Sequence, residues 1–160
     1  MGIEELLRID EAAILEEACR AVTRLEHYRR DGEDTTRWRL QVLYRRVVDA
    51  VITRDLAPLR RHLAQVARER HHAGFDLAEV HAAFAALQDA IWRRALAGLE
   101  PDELAWGFGL VATALAHGRD TLERTFESLA RPEAPIDLTP LFLGAEPASV
   151  ARADELVYPV

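Results

Sequence analysis

Two amphipathic segments meet at Gly74-Phe75-Asp76 within the stretch LAPLRRHLAQVARERHHAGFDLAEVHAAFAALQDAIWRRAL, from Leu56 to Leu96. No other feature constrains the fold as strongly. Gly74, having no Cβ, can take the left-handed conformation that ends one helix, while Asp76 and Glu79 have the spacing of an N-cap and capping box opening the next. Apolar residues in both arms recur at intervals of three and four rather than two, so both arms read as helices.

The same period runs through most of the chain and predicts an all-α fold of five main helices. A short helix over residues 3–8 precedes a first long one from about Glu11 to Arg30, capped by Asp10, with Leu15, Ala18, Val22 and Leu25 on one face. Asp31-Gly32 ends it. The second, from about Thr36 to Thr53, is apolar on more than one side (Leu40, Leu43, Val47 and Val51 beside Val42, Tyr44, Val48 and Ile52), which suits a central helix or a dimer seam. The third, from about Asp55 to Ala73, carries Pro58 in its first turn, where a missing amide hydrogen costs nothing, and faces inward through Leu59, Leu63 and Val66.

Leu77, Val80, Phe84, Leu87 and Ile91 give the fourth helix, Leu77 to Ala97, a strict stripe. The fifth opens at Pro101 and runs to about Ala130, with Leu104, Phe108, Val111, Leu115, Leu122, Phe126 and Leu129 in register and Gly118 on the same stripe. A glycine there gives up about 1 kcal/mol of helix propensity, so it marks a close approach by another helix, a subunit or a ligand. Val111, Leu115, Gly118, Leu122 and Phe126 are therefore candidates for a dimer or helix seam. Gly107 and Gly109 weaken the start of the helix and allow a kink.

Prolines at 132, 135, 140, 147 and 159 end the helical period, dividing the chain into a helical domain, 1–131, and an extended tail, 132–160. Ile136, Leu138, Leu141, Phe142, Leu156 and Tyr158 make that tail a candidate docking segment.

The formal charge is −7, and all 20 basic residues are arginine. That balance argues against nucleic acid as a partner. Residues 36–75 nevertheless hold nine Arg against three acidic residues, whereas 1–34 hold ten acidic residues against five Arg, so the basic helices are expected to meet the acidic ones of the same chain. The single cysteine, Cys19, reads as a small buried apolar residue, consistent with a reducing compartment. With no signal-peptide pattern and no long apolar run, the expectation is a cytoplasmic protein that does not enter a membrane.

Catalytic patterns are lacking: there is no nucleophile elbow, no phosphate loop, and the serines have no triad context. Glu69 and His72 form one Glu-x-x-His pair, but a di-metal bundle needs a second copy, and His71 and His72 suit a helix C-terminus. His81 and His117 border apolar stripes, and an alternative reading is a haem- or lipophile-binding globin-like sensor, with one of them as axial ligand if the group is haem. Trp38, Trp92 and Trp106 read as core or interface aromatics. No cofactor, metal or enzymatic activity is expected.

From Ile14-Leu15-Glu16-Glu17 to Leu129 the chain resembles the N-terminal sensor domain of RsbR-type stressosome proteins, most closely over RERHHAGFDLAEVHAAFAALQDAIW, Arg68 to Trp92. The resemblance implies a globin-like fold without haem, a homodimer, and a stress-signalling role exerted through a protein partner or a small-molecule effector. Members of that family usually continue into a phosphorylatable STAS domain, whereas this sequence ends in a Pro-containing tail. The chain is therefore expected to be either a free-standing relative acting through a partner in trans or a fragment of something longer, and none of the family's phosphorylated residues transfers. A further alternative is an adaptor that recruits its partner through the tail.

Overall fold

The computed structural model describes residues 1–131, and among them every regular element is a helix. In chain order these are α1 (Ile3–Ile9), α2 (Glu11–Val22), α3 (Glu26–Asp31), α4 (Glu33–Thr53), α5 (Ala57–His72), α6 (Leu77–Gly98) and α7 (Pro101–Ala130). The most extensive pairings are α5 along α7 and α2 along α6. Central α4 touches α1, α2, α3, α5 and α7, which explains its two apolar sides.

The expected helix from Glu11 to Arg30 is in fact two. At the end of α2 the Thr23 hydroxyl bonds back to the carbonyl of Cys19 at 3.0 Å, Leu25 N–H closes a tight turn onto Val22 O at 2.9 Å, and Leu25 itself is extended. A threonine that satisfies backbone carbonyls with its own hydroxyl competes with helix continuation. The break turns Tyr28 into the core, where the buried Thr36 hydroxyl donates to its carbonyl at 3.3 Å. Asp10 makes no side-chain cap, because α1 ends there and α2 begins at the next residue.

The junction at Gly74 follows its sequence signals. Gly74 has φ +81°, Phe75 N–H bonds to Arg70 O at 3.0 Å and Gly74 N–H to His71 O at 3.2 Å, a Schellman pattern that satisfies the last carbonyls of α5. Asp76 then accepts from Glu79 N–H at 2.8 Å, opening α6. The return half of the capping box does not form. Glu79 instead accepts the His27 backbone N–H at 3.3 Å and meets the His27 imidazole, so it caps α3 from across the fold. Asp76→Ala is expected to lower stability by about 1 kcal/mol. Urea unfolding reads this as a lower midpoint at unchanged slope; an unchanged midpoint would show that the cap contributes nothing.

The core runs the length of the bundle, with Leu6, Leu7, Ile14, Tyr44, Leu59, Leu63, Phe84, Leu87, Ile91 and Leu122 among its fully buried side chains. Tyr44 keeps its hydroxyl satisfied by donating to Leu7 O at 2.6 Å, tying α4 to α1. The inner face of α5 is rotated from expectation: Leu59 and Leu63 are buried as predicted, but Ala67 and Arg70 continue the face, and Val66 lies at its margin. Helix α7 passes unbroken through Gly107 and Gly109, with Gly107 against Ile3. Acidic and basic segments pair within the chain, Glu11 with Arg45 and Glu4 with Arg54, each at 3.1 Å. No helix among the described residues is long and apolar enough to cross a membrane.

Candidate functional site

Large apolar side chains left in solvent are concentrated where α6 turns into α7. Leu96, Trp106 and Phe108 are 67%, 62% and 52% exposed. A recess of about 350 Å³ there is lined by Trp92, Leu96, Pro101, Leu104, Ala105 and Phe108. Its floor is set by stacking of Trp92 on Phe108, with ring centroids 4.4 Å apart. Helix geometry accounts for the exposure: α6 buries Phe84, Leu87, Ile91 and Ala95, and residues 92 and 96, each one position beyond a buried residue, turn outward. At its N-terminal end α7 buries only Gly107 of its first ten residues, so this part projects past the bundle. Arg93, the residue after Trp92 on α6, instead pairs with Glu17 of α2 and lines a separate recess between α2 and α6.

A second cluster forms behind the Gly74 junction. Phe75 is buried against His27, 4.8 Å between centroids, and Tyr28, 4.9 Å and edge-on, while the Arg70 guanidinium lies 5.2 Å from the centre of the Phe75 ring. Arg70 is buried without an ion pair among the described residues, and burial, followed by the neighbouring Arg39, holds its pKa below the ordinary value. Burial likewise raises the Tyr28 phenol, against the pull of Arg70 and Arg39. The aromatic face and phenol replace a carboxylate as the guanidinium's surroundings. This cluster welds α3 to the α5–α6 junction and is packing, not chemistry.

The seam residues named from sequence all lie inside one chain. Val111, Leu115, Leu122 and Phe126 are buried, and Gly118 sits under α5 and α6, where a Cβ would be 2.6 Å from Leu63 Cδ1 and 3.2 Å from Phe84 Cζ. As a helix seam the stripe stands; as a dimer face it is corrected, because α5 and α6 already cover it. Trp38, 64% exposed, and Trp106 are likewise not core residues. Position 106 falls two residues from both Leu104 and Phe108, off the apolar stripe, and that spacing was the available signal.

Neither histidine of the haem reading lines the elbow recess. His81 contacts Glu123 at 3.2 Å across α6 and α7, His117 is exposed on α7, and neither lines the recesses described here. His71 packs edge-on against Phe126 at 5.6 Å. Among the described residues no group of three or more His, Cys, Asp or Glu is placed to hold a metal ion. Cys19 is buried, and burial with Glu33 nearby raises its thiol pKa. The tail candidates Ile136, Leu138, Leu141, Phe142, Leu156 and Tyr158 lie outside the described residues.

His62, half-buried on α5, is held below its ordinary pKa of 6.5 by burial first and by Arg46 second. A depressed histidine binds its proton more weakly folded than unfolded, so it is neutral in both states well above 6.5, and stability falls as the pH drops below that value. His62→Gln is expected to flatten this acid limb, measured as the change in urea midpoint between neutral pH and pH about 5; an identical decline in both proteins would rule out His62 as its source.

Comparison with protein-family models finds no match, and comparisons with curated proteins and with solved structures find none either.

Proposed function

We propose that this chain is a non-catalytic regulatory domain that forms a homodimer through the α6–α7 elbow and acts by contact with a protein partner. The observation carrying the reading is the exposed aromatic recess of Trp92, Leu96, Leu104 and Phe108. Contiguous apolar surface rimmed by polar residues marks an interaction site, and clustered tryptophans and phenylalanines are the side chains that anchor one. A second copy is the occupant that suits it. A two-fold contact opposes the patch to itself, so one apolar surface supplies both halves of the interface.

The resemblance to RsbR-type sensor domains supports the same reading, including a globin-like arrangement of helices and a stress-signalling context. In this reading a signal favours one packing of α7 over another, and it does so only by its differential affinity for the two states. Sedimentation velocity across a concentration series, with an absorption spectrum of the same sample, tests it. The expected result is a colourless protein passing from monomer to dimer as concentration rises. A monomer at every concentration refutes the elbow interface, and a Soret band refutes the cofactor-free reading.

A further inference from the structure

We propose that the cleft between α4 and α5 binds a small phosphorylated or sulfated molecule through Arg46, Arg61 and His62. The cleft measures about 310 Å³ and is lined by Arg46 from α4 and by Pro58, Arg61, His62 and Gln65 from α5. Pro58, Arg61, His62 and Gln65 follow one another at intervals of one to three residues and so share one side of α5, and Arg46 closes the cleft from the facing helix. The lining contains no carboxylate, although the whole chain carries −7.

Neither arginine is in an ion pair among the described residues; the pairs there engage Arg30, Arg39, Arg45, Arg54, Arg93 and Arg124. Two nearby carboxylates on these segments are occupied: Asp55 accepts the Ala57 N–H at 2.9 Å, and Glu69 accepts from Gln65 Nε2 at 2.9 Å. The second contact leaves the binding to the two guanidinium forks and the imidazole. Two guanidinium groups lining one recess, with no carboxylate partner among the described residues, match a tetrahedral oxyanion, which accepts paired N–H donors. The volume lies at the lower end of ligand pockets, about 300–1,000 Å³, fitting one anionic group with a small organic remainder. The cleft and the α6–α7 elbow occupy different helices, so either proposal can fail without the other.

The charged groups acting on His62 are Arg46 from α4 and Glu69 and Arg70 from α5. An anion held beside Arg46 offsets its repulsion of imidazolium, so binding raises the His62 titration midpoint. The experiment follows the histidine signals by NMR while the full chain is titrated with sodium sulfate, inorganic phosphate or a phosphoserine peptide, with sodium chloride at matched ionic strength as reference. Sulfate keeps its charge through the histidine range, so a His62 shift in sulfate belongs to the protein. The expected result is saturable binding of both free anions, an upward shift of the His62 midpoint, and affinity lower by about tenfold or more in Arg46→Ala and in Arg61→Ala, while Arg60→Ala, an exposed arginine outside the cleft, binds as wild type. A linear response indistinguishable from chloride, or an equal loss in Arg60→Ala, would overturn the site. Saturation by the phosphoserine peptide but not by the free anions would overturn the small-molecule assignment.

Discussion

Gly118→Leu is expected to lower stability by about 3 kcal/mol or more, enough to depress the melting temperature by about 10 °C. The first added carbon alone would stand 2.6 Å from Leu63 Cδ1, closer than such atoms approach one another, and 3.2 Å from Phe84 Cζ, tighter than most such contacts. Leucine adds three further carbons in the same direction. Replacing glycine inside a helix ordinarily stabilises it by about 1 kcal/mol, so two effects oppose each other. Overpacking wins because Leu63 is fully buried and Phe84 nearly so, and neither can swing aside without displacing a neighbour. The α5–α7 pairing, among the most extensive in the fold, must then open. Leu63→Ala removes the clashing atom, so the double variant is expected to be more stable than the sum of its two single losses. A wild-type urea midpoint for Gly118→Leu would show that α5 and α7 do not approach as closely as described.

The second large effect concerns association. Leu96→Arg and Phe108→Arg are each expected to raise the dimer dissociation constant by about 100-fold or more, leaving the protein monomeric in sedimentation while its melting temperature changes little. Both side chains are more than half exposed in the single chain, so their replacement removes little intramolecular packing beyond the stacking of Phe108 on Trp92. In a two-fold interface each substitution enters twice and sets two guanidinium groups in an apolar centre, where desolvation and like-charge repulsion act together. Trp38→Arg is the control, since Trp38 is equally exposed but lies on α4. Equal weakening by Trp38→Arg, or none by Leu96→Arg and Phe108→Arg, would move the interface away from the elbow.

Some of the candidate surface was legible in the residues. Trp106 stands out of register with Leu104 and Phe108, and an aromatic off the apolar stripe marks either a second contact face or a solvent-exposed anchor. What periodicity cannot supply is how far a stripe stays covered. Helix α7 is apolar on one line from Leu104 to Leu129, yet only its middle, from Val111 to Phe126, lies buried, while Phe108 and Leu129 emerge at either end. The dimer reading of Val111, Leu115, Gly118, Leu122 and Phe126 failed for that reason: an amphipathic stripe specifies that something covers it, and the covering element here is the chain's own α5 and α6.

By itself the sequence determined the helical class, the left-handed Gly74 junction, the Asp76 cap and the boundaries of α7, because each depends on contacts within a few residues. Helix period, the φ freedom of glycine and N-cap chemistry act locally and are written in local composition. Only the tertiary structure decided that the helix begun at Glu11 breaks before Glu26, that Glu79 caps α3 rather than its own helix, that Arg70 is buried beside Phe75, and that Arg46 and Arg61 face one cleft. Each of these joins residues that are distant along the chain. Their energies come from packing and from charges brought together by folding, and no window of neighbouring residues contains both members of such a pair.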